Sequence, residues 1–462
     1  MSAIIMKPHL SVSRILQMNL GFLGLQFSFG LQQASLSPIW LYLFKKEEQL
    51  GHTSPFLAWL GFDNHWGEAD LAWLGIAGPL TGLIIQPIIG SMSDRTLSRW
   101  GRRTPYFLIG AIICCLGLFF MPLSSSVLMA FSLLFLLDVG NNVTMEPYRA
   151  YVNDRLNPNQ RGFGFLSQSA FTGLAQTLAY LSPSLLVWWG MSSKAVGDNY
   201  IPDFTRVSFL IGAFLSISTI LWSILRVREL PLSDDEKARI AALPKSAGAT
   251  LAEIASAIKD MPKAMRAMGW MSLFQWYAMV GYWGYVTSAI ARSVYNTADA
   301  SSQAFRDAAL TNGQVGAFYN FIAFASALAM VPIARKLGAG KLHALCLTAA
   351  GLGMLAVPHI ADKAWLFIPA IGVGLGWGSI MGNPYIILAN AIPAERTGVY
   401  MGIFNMFICA PMLLFAATMT FMYDRWLGGD ARNVISLSGI LMICAAIAVL
   451  RIKPHPDPQL TA

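Results

Sequence analysis

Residues 104–154 read TPYFLIGAIICCLGLFFMPLSSSVLMAFSLLFLLDVGNNVTMEPYRAYVND, with no charged side chain before Asp138. Residues 104–124 and 127–153 are each long enough to cross a hydrocarbon core of about 30 Å as a helix. The second run then takes in Asp138, Asn141, Asn142, Glu146 and Arg149. An acid, two amides, another acid and an arginine inside one apolar segment need a reason.

The composition supplies the setting. Of 462 residues, 55% are hydrophobic and only 12% charged, about half the charge of an ordinary soluble domain. In lipid every backbone N–H and C=O needs a partner within the chain, which leaves helices or a closed barrel. The apolar runs are too long and too continuous for barrel strands, whose residues alternate. The sequence therefore predicts an all-α integral membrane protein. Hydropathy places twelve spans near residues 12–44, 71–92, 104–124, 127–153, 161–190, 204–227, 266–293, 311–335, 341–360, 364–391, 396–423 and 432–451. The first is too long for a signal-peptide core and reads as a retained helix. Cys114, Cys115, Cys346, Cys409 and Cys444 all fall in apolar stretches without metal-ligand spacing and read as small core residues.

The net charge of +8 does not point to nucleic acid, because its placement accounts for it. With both termini inside, the inner segments hold 22 of the 32 lysines and arginines and the outer segments nine, Arg149 set aside. That bias predicts a multi-pass protein of the cell (inner) membrane with cytoplasmic termini. Residues 228–263 form a polar cytoplasmic linker, in which Leu251, Ile254 and Ile258 make one face of a short interfacial helix.

The linker separates two six-span halves, residues 1–227 and 264–462, that look duplicated. PYRAYVN (147–153) has a partner in PYIILAN (384–390), each with Pro-Tyr ahead of an Asn at the same spacing. Pro158 and Arg161 follow the first copy as Pro393 and Arg396 follow the second, and Gln26 in LGLQF aligns with Gln275 in SLFQW. Two pseudo-symmetric bundles of this kind build transporters whose substrate sits between the halves near the midplane.

GSMSDRTLSRWGRR (90–103), between spans two and three, resembles the loop motif of the major facilitator superfamily, lengthened between Asp94-Arg95 and Gly101-Arg102-Arg103. Gly90 would allow a close helix approach, and Asp94 with Arg95, Arg102 and Arg103 can form a charge lock that gates the inner face. ARKLGAGK (334–341) is a weaker copy in the second half. The wider stretch GPLTGLIIQPIIGSMSDRT followed by RWGRRTPYFLIG, together with MEPYRAYVND and SLFQWYAMVGYWGYVTSAIARSVY, is similar to the glycoside–pentoside–hexuronide:cation symporters. Within that family the likeness is greatest to the sucrose–proton symporter branch and its bacterial relatives. The resemblance implies a twelve-helix alternating-access fold and symport of a disaccharide or related glycoside of sucrose or maltose type with a proton. It also implies functional roles for a span-four acid and for an arginine eleven residues later, positions held here by Asp138 and Arg149. Sodium-coupled relatives place acids within span two; LAWLGIAGPLTGLIIQPIIGSMS has none, which favours protons.

Charge at the bilayer centre costs about 2.5–3.5 kcal/mol, so the span-four residues invite a functional reading. At ~100° per residue Asp138, Asn142, Met145 and Arg149 share a stripe, flanked by Asn141 and Glu146. Eleven residues rise about 16 Å, too far for direct Asp138–Arg149 contact on a straight helix, although Pro147 can kink it. Asp138 is the expected proton carrier, binding sugar as a neutral acid and releasing its proton when closure changes its surroundings. Glu146 and Arg149 either share that task or, one turn apart, pair structurally. Asn141 and Asn142 either bind sugar hydroxyls or tie helices. The second-half copy has Asn383 and Ile386 where Glu146 and Arg149 stand, so coupling is expected to lie in the first half.

For the substrate the expected contacts are Gln26, Gln33, Asp138, Asn141, Asn142, Gln168, Gln275, Trp276 and Asn383, since a glycoside needs amides for its edges and aromatic faces for its C–H surfaces. Trp283, Trp377, Asn312, Asn320 and Asn405 are further polar or aromatic positions within spans. No metal-ligand cluster, nucleophile elbow or phosphate loop is present, and His343 and His359 lack helical ligand spacing, so neither an enzyme nor a cofactor is expected. The expected partners are sugar, proton and lipid, with no nucleic acid and a monomeric chain. A facilitator or exporter of another solute, or a non-transporting sugar sensor, is the alternative.

Overall fold

The computed structural model describes residues 8–50, 68, 71–74, 76–94, 96–156, 158–231, 233–241, 255–389 and 397–452. Leu251, Ile254, Arg95, Pro393 and Arg396 lie outside these. Among the described residues the chain is helical, with one isolated bridge between Val196 and Pro202. Helices α1 (Val12–Asn19) and α2 (Gly21–Leu50) occupy the first predicted span, and α3 (Leu71–Leu74) and α4 (Ala77–Asp94) the second. Then come α5 (Thr104–Phe120), α6 (Val127–Arg155), α7 (Pro158–Trp188), α8 (Asp203–Arg226) and the short α9 (Asp234–Ala241). The remainder comprises α10 (Lys263–Ser293), α11 (Gln303–Leu337), α12 (Ala339–Ala356), α13 (Phe367–Ile380), α14 (Asn383–Ala389), α15 (Thr397–Arg425) and α16 (Ala431–Leu450).

Every predicted span overlies helix among the described residues, the first, second and tenth each being divided in two. Among the described residues, eight helical stretches are long and apolar enough to cross a membrane. The outward faces agree with that setting. Ile109, Ile112, Leu116 and Phe119 on α5 are all exposed, as are Leu210, Phe214, Leu221 and Leu225 on α8. Steps of three, four and seven residues align each set along one helical face. In water such stripes would drive aggregation, whereas lipid solvates them.

The chain divides into two compact units: residues 1–32, 80–192 and 203–245, and residues 33–79, 193–202 and 246–462. In the first, the break between α1 and α2 is repaired by side chains. Gly21 N–H donates to Ser223 Oγ at 2.8 Å, Ser223 Oγ donates to the Gln17 carbonyl at 3.0 Å, and Tyr148 Oη donates to the Met18 carbonyl at 2.6 Å. Backbone groups freed by an interrupted helix are thereby satisfied without water. Phe22, Phe107, Tyr148 and Tyr151 pack around this point.

Helices α5 and α6 cross more closely than side chains would permit. A Cβ on Gly110 would stand 2.0 Å from Thr144 Oγ1, and one on Gly140 would stand 2.7 Å from the Cys114 nitrogen. Small residues at such crossings let backbones meet where no hydrophobic effect drives association. The crossing lies just beside Asp138 and so fixes its helix against α5.

In the second unit α10 is buried along Met265, Met268, Met271, Ala278, Tyr282 and Tyr285. Asn312 Nδ2 donates to Thr287 Oγ1 at 2.9 Å, tying α11 to α10. At the end of α10 the Arg292 guanidinium holds Glu68 through two 2.7 Å contacts, and Tyr423 Oη also donates to that carboxylate. Asp430 caps α16 by accepting from Arg432 N–H at 2.8 Å. Partial burial pushes the Asp430 carboxyl up, but its hydrogen bonds to Arg432 and the charges of Arg432 and Arg292 outweigh that and hold it below the ordinary value.

Two expectations follow from these packings. Gly110→Val should cost about 1–3 kcal/mol through overpacking, read as a lower thermal midpoint of the purified protein in detergent. An unchanged midpoint would contradict the close α5–α6 crossing. Because the Asp430 carboxyl titrates lower when folded than unfolded, its contribution is present above about pH 4 and is lost as pH falls through the folded value. Asp430→Asn should therefore flatten the acid limb of thermal stability, leaving neutral pH as the region of largest loss.

Candidate functional site

Helix α6 runs unbroken from Val127 to Arg155 through Pro147. Asp138 is buried on it at 3% exposure. Among the described residues it forms no ion pair. Gln32 of α2 lies beside its carboxyl, and the Gln32 Nε2 group is buried with no other hydrogen-bond partner. A buried amide donor of this kind is directed to the acid beside it. Sequence reasoning passed over Gln32 in favour of its neighbour Gln33, whose Oε1 is likewise buried and unpartnered.

The two asparagines are engaged in helix contacts. Asn142 Nδ2 donates to Thr81 Oγ1 at 3.1 Å and to the Asp138 carbonyl at 2.8 Å, while its Oδ1 accepts from Gln86 Nε2 at 2.7 Å. Asn141 Nδ2 donates to Ser28 Oγ at 3.3 Å, and its Oδ1 accepts from Cys114 Sγ at 3.0 Å. These bonds draw α2, α4 and α5 around the Asp138 turn of α6. Arg149 is half-buried further along the helix; the Glu146 side chain lies outside the described residues.

Other first-unit amides are paired too. Gln26 Oε1 accepts from Gln176 Nε2 at 3.2 Å. Gln168 Nε2 donates to Asn19 Oδ1 at 3.3 Å, and Asn19 Nδ2 donates to the Gly164 carbonyl at 2.9 Å and to Ser167 Oγ at 2.6 Å. In the second unit Gln275 and Asn383 are brought together through two residues that sequence reasoning missed. His343 Nε2 lies 3.1 Å from Gln275 Oε1, His343 Nδ1 lies 2.8 Å from Ser379 Oγ, and Asn383 Nδ2 donates to that hydroxyl at 2.7 Å. Trp276 joins Trp283 and Trp377 in a cluster with ring centroids 5.2–6.5 Å apart. Asn320 turns back to the Gly316 carbonyl of its own helix.

The loop ahead of α5 is organised by partners distant in sequence. Gly101 adopts φ +112°, which a side chain would strain, and a Cβ there would meet the Glu229 carboxylate at 2.5 Å. Glu229 accepts from the N–H groups of Arg102, Arg103 and Thr104 at 2.6–3.1 Å and from Thr104 Oγ1 at 2.6 Å. An anion at the first turn of α5 satisfies the donors every helix leaves there. Asp154 of α6 binds Arg102 at 2.6 Å and Arg103 Nε at 3.0 Å, and Arg103 also reaches Ser93 Oγ at 2.5 Å. The surroundings of Gly90 and Asp94, and all of Arg95, lie outside the described residues.

A multi-pass helical chain whose interior is threaded by amides around a buried acid falls in the class of membrane solute transporters. The chain belongs to the Major Facilitator Superfamily, whose model matches residues 22–416; the members of that family are transporters rather than enzymes. It is 25% identical to sucrose transport protein SUC4 of Arabidopsis thaliana, an alignment covering 89% of this chain and 88% of that one. It is 32% identical over 192 residues to the general alpha-glucoside permease of Schizosaccharomyces pombe, covering 38% of this chain and 31% of that one. Its fold resembles the crystal structure of the nucleoside transporter NupG, with a TM-score of 0.68 at 14% identity over 95% of this chain and 99% of the other.

Removing the Glu229 carboxylate should loosen the start of α5. Glu229→Ala is expected to cost about 1–2 kcal/mol, the loss typical of a helix N-cap, and to speed hydrogen exchange at the amides of residues 102–104. Unchanged exchange there would mean that water replaces the cap without penalty.

Proposed function

We propose that the chain is a secondary active transporter that carries a disaccharide or related glycoside, of sucrose or maltose type, together with a proton by alternating access. Asp138 is the proton carrier in this reading. The observation that carries it is a carboxyl buried in α6 with the neutral Gln32 amide beside it and, among the described residues, no ion pair. A carboxyl without a fixed counter-ion can exist as a neutral acid, which both donates and accepts hydrogen bonds and so suits a sugar hydroxyl. The similarity to a plant sucrose transport protein along nearly the whole chain supports sugar as the cargo.

The remaining roles rest on the same reading. Glu146 and Arg149 bias proton release, while Gln26, Gln33, Asn141, Asn142 and Gln168 are the sugar contacts in residues 1–227. Gln275, Trp276 and Asn383 are those in residues 264–462. Gly90, Asp94, Arg95, Gly101, Arg102 and Arg103 form the cytoplasmic gate. Twelve crossings in two six-helix halves, residues 1–227 and 264–462 joined by the linker 228–263, form a monomer in the cell (inner) membrane with both termini cytoplasmic.

Uptake of a labelled sugar panel into proteoliposomes, with and without an inward proton gradient, tests the function. Gradient-driven accumulation is expected, independent of sodium. Asp138→Asn should abolish accumulation while sparing sugar exchange. Full active uptake by that variant would remove Asp138 from the coupling role, and sodium-dependent uptake would overturn proton coupling.

A further inference from the structure

The buried chain Asn383–Ser379–His343–Gln275 draws on α14, α13, α12 and α10, and none of its members is charged by necessity. His343 is fully buried, Ser379 likewise, and Gln275 and Asn383 are 1% and 4% exposed. Each link has a defined polarity. A carbonyl oxygen only accepts, so the imidazole proton sits on Nε2 and points to Gln275 Oε1 at 3.1 Å. No carboxylate takes part, and a buried charge without a partner is costly, so the ring is neutral. Nδ1 then accepts from the Ser379 hydroxyl at 2.8 Å. That hydroxyl oxygen in turn accepts from Asn383 Nδ2 at 2.7 Å.

Both ends of this chain are amides with one half used and one half free for other bonding. Gln275 is held by its oxygen, leaving Nε2 as a donor, and Asn383 is held by its nitrogen, leaving Oδ1 as an acceptor. A neutral donor and a neutral acceptor in fixed orientation match a hydroxyl group, which is both. Two of the same helices also carry the tryptophan cluster, Trp276 on α10 and Trp377 on α13, with their rings 6.1 Å apart. Small-molecule sites combine apolar and aromatic lining with a few fixed polar groups.

We propose that His343 and Ser379 are positioning residues that set the amide orientations of Gln275 and Asn383, and that this pair reads particular hydroxyls of the transported glycoside. The proposal rests on the sugar-transport reading above and adds to it a specificity element in the second unit. His343 does not touch substrate; it acts through the two amides. A helix tie alone would be worth little, since single interhelical hydrogen bonds in membranes are weak, and it would not distinguish one sugar from another.

The test uses the full chain in proteoliposomes, with a panel of labelled disaccharides and their monodeoxy analogues. In the wild type one or two deoxy analogues should be penalised about tenfold in kcat/KM, the effect of an unmatched buried polar group. His343→Leu should raise KM for the parent sugar about tenfold with kcat within about twofold, and should erase the deoxy penalty. Ser379→Ala should move both quantities in the same direction. His343→Gln, which restores a donor to Gln275, should recover part of the discrimination. If His343→Leu fails to fold, Ser379→Ala and His343→Gln carry the same readouts. Folded variants with unchanged KM and an intact deoxy penalty, or with kcat alone reduced, would overturn the proposal while leaving sugar transport standing. A wild-type chain that transports no sugar in the panel would overturn the sugar reading and this proposal with it.

Discussion

In lipid a polar side chain has no water to fall back on, and the architecture around α6 is a response to that constraint. Asn141 and Asn142 spend their amides on α2, α4, α5 and the Asp138 carbonyl. Each interhelical bond is worth about 0.6 kcal/mol on average and at most about 1.7, so several together roughly offset the insertion cost of one charged residue. Those ties hold the Asp138 turn between neighbours that leave its carboxyl without a permanent counter-ion. The Gly110–Gly140 crossing completes the arrangement by bringing α5 into backbone contact.

The two units handle buried polarity differently. The first surrounds an acid with amides, whereas the second contains a neutral chain of amide, imidazole and hydroxyl beside three tryptophans. In the proposed repeat, Asn383 stands at the position of Glu146 and engages Ser379, so a place that bears an acid in one stretch bears a hydrogen-bonding amide in the other.

Much of this was legible in sequence because it depends on local period. Helices overlie all twelve predicted spans, and the Asp138–Asn142 stripe appears as 100° spacing requires. What escaped depends on long-range contact. Arg102 and Arg103 also engage Asp154 and Glu229, roughly 50 and 125 residues further along, contacts that no local spacing announces; the expected contact with Asp94 lies outside the described residues. His343 was set aside because it lacked metal-ligand spacing on its own helix, yet its partners Gln275 and Ser379 sit on two other helices. Gln33 rather than its neighbour Gln32 was named for the site, because sequence alone does not say which of two adjacent amides meets the acid.

The Glu229 cap also has a consequence for how the protein is made. The amide donors at the start of α5 are satisfied by a carboxylate that emerges from the ribosome only after α8. Until then the Gly101–Thr104 turn has its donors but lacks their acceptor, and the third and fourth spans must enter the bilayer with that end unfinished. The start of α5 is thus completed by a residue from the final segment of the first unit, and a nascent chain stalled before residue 229 would leave that helix end without its carboxylate cap.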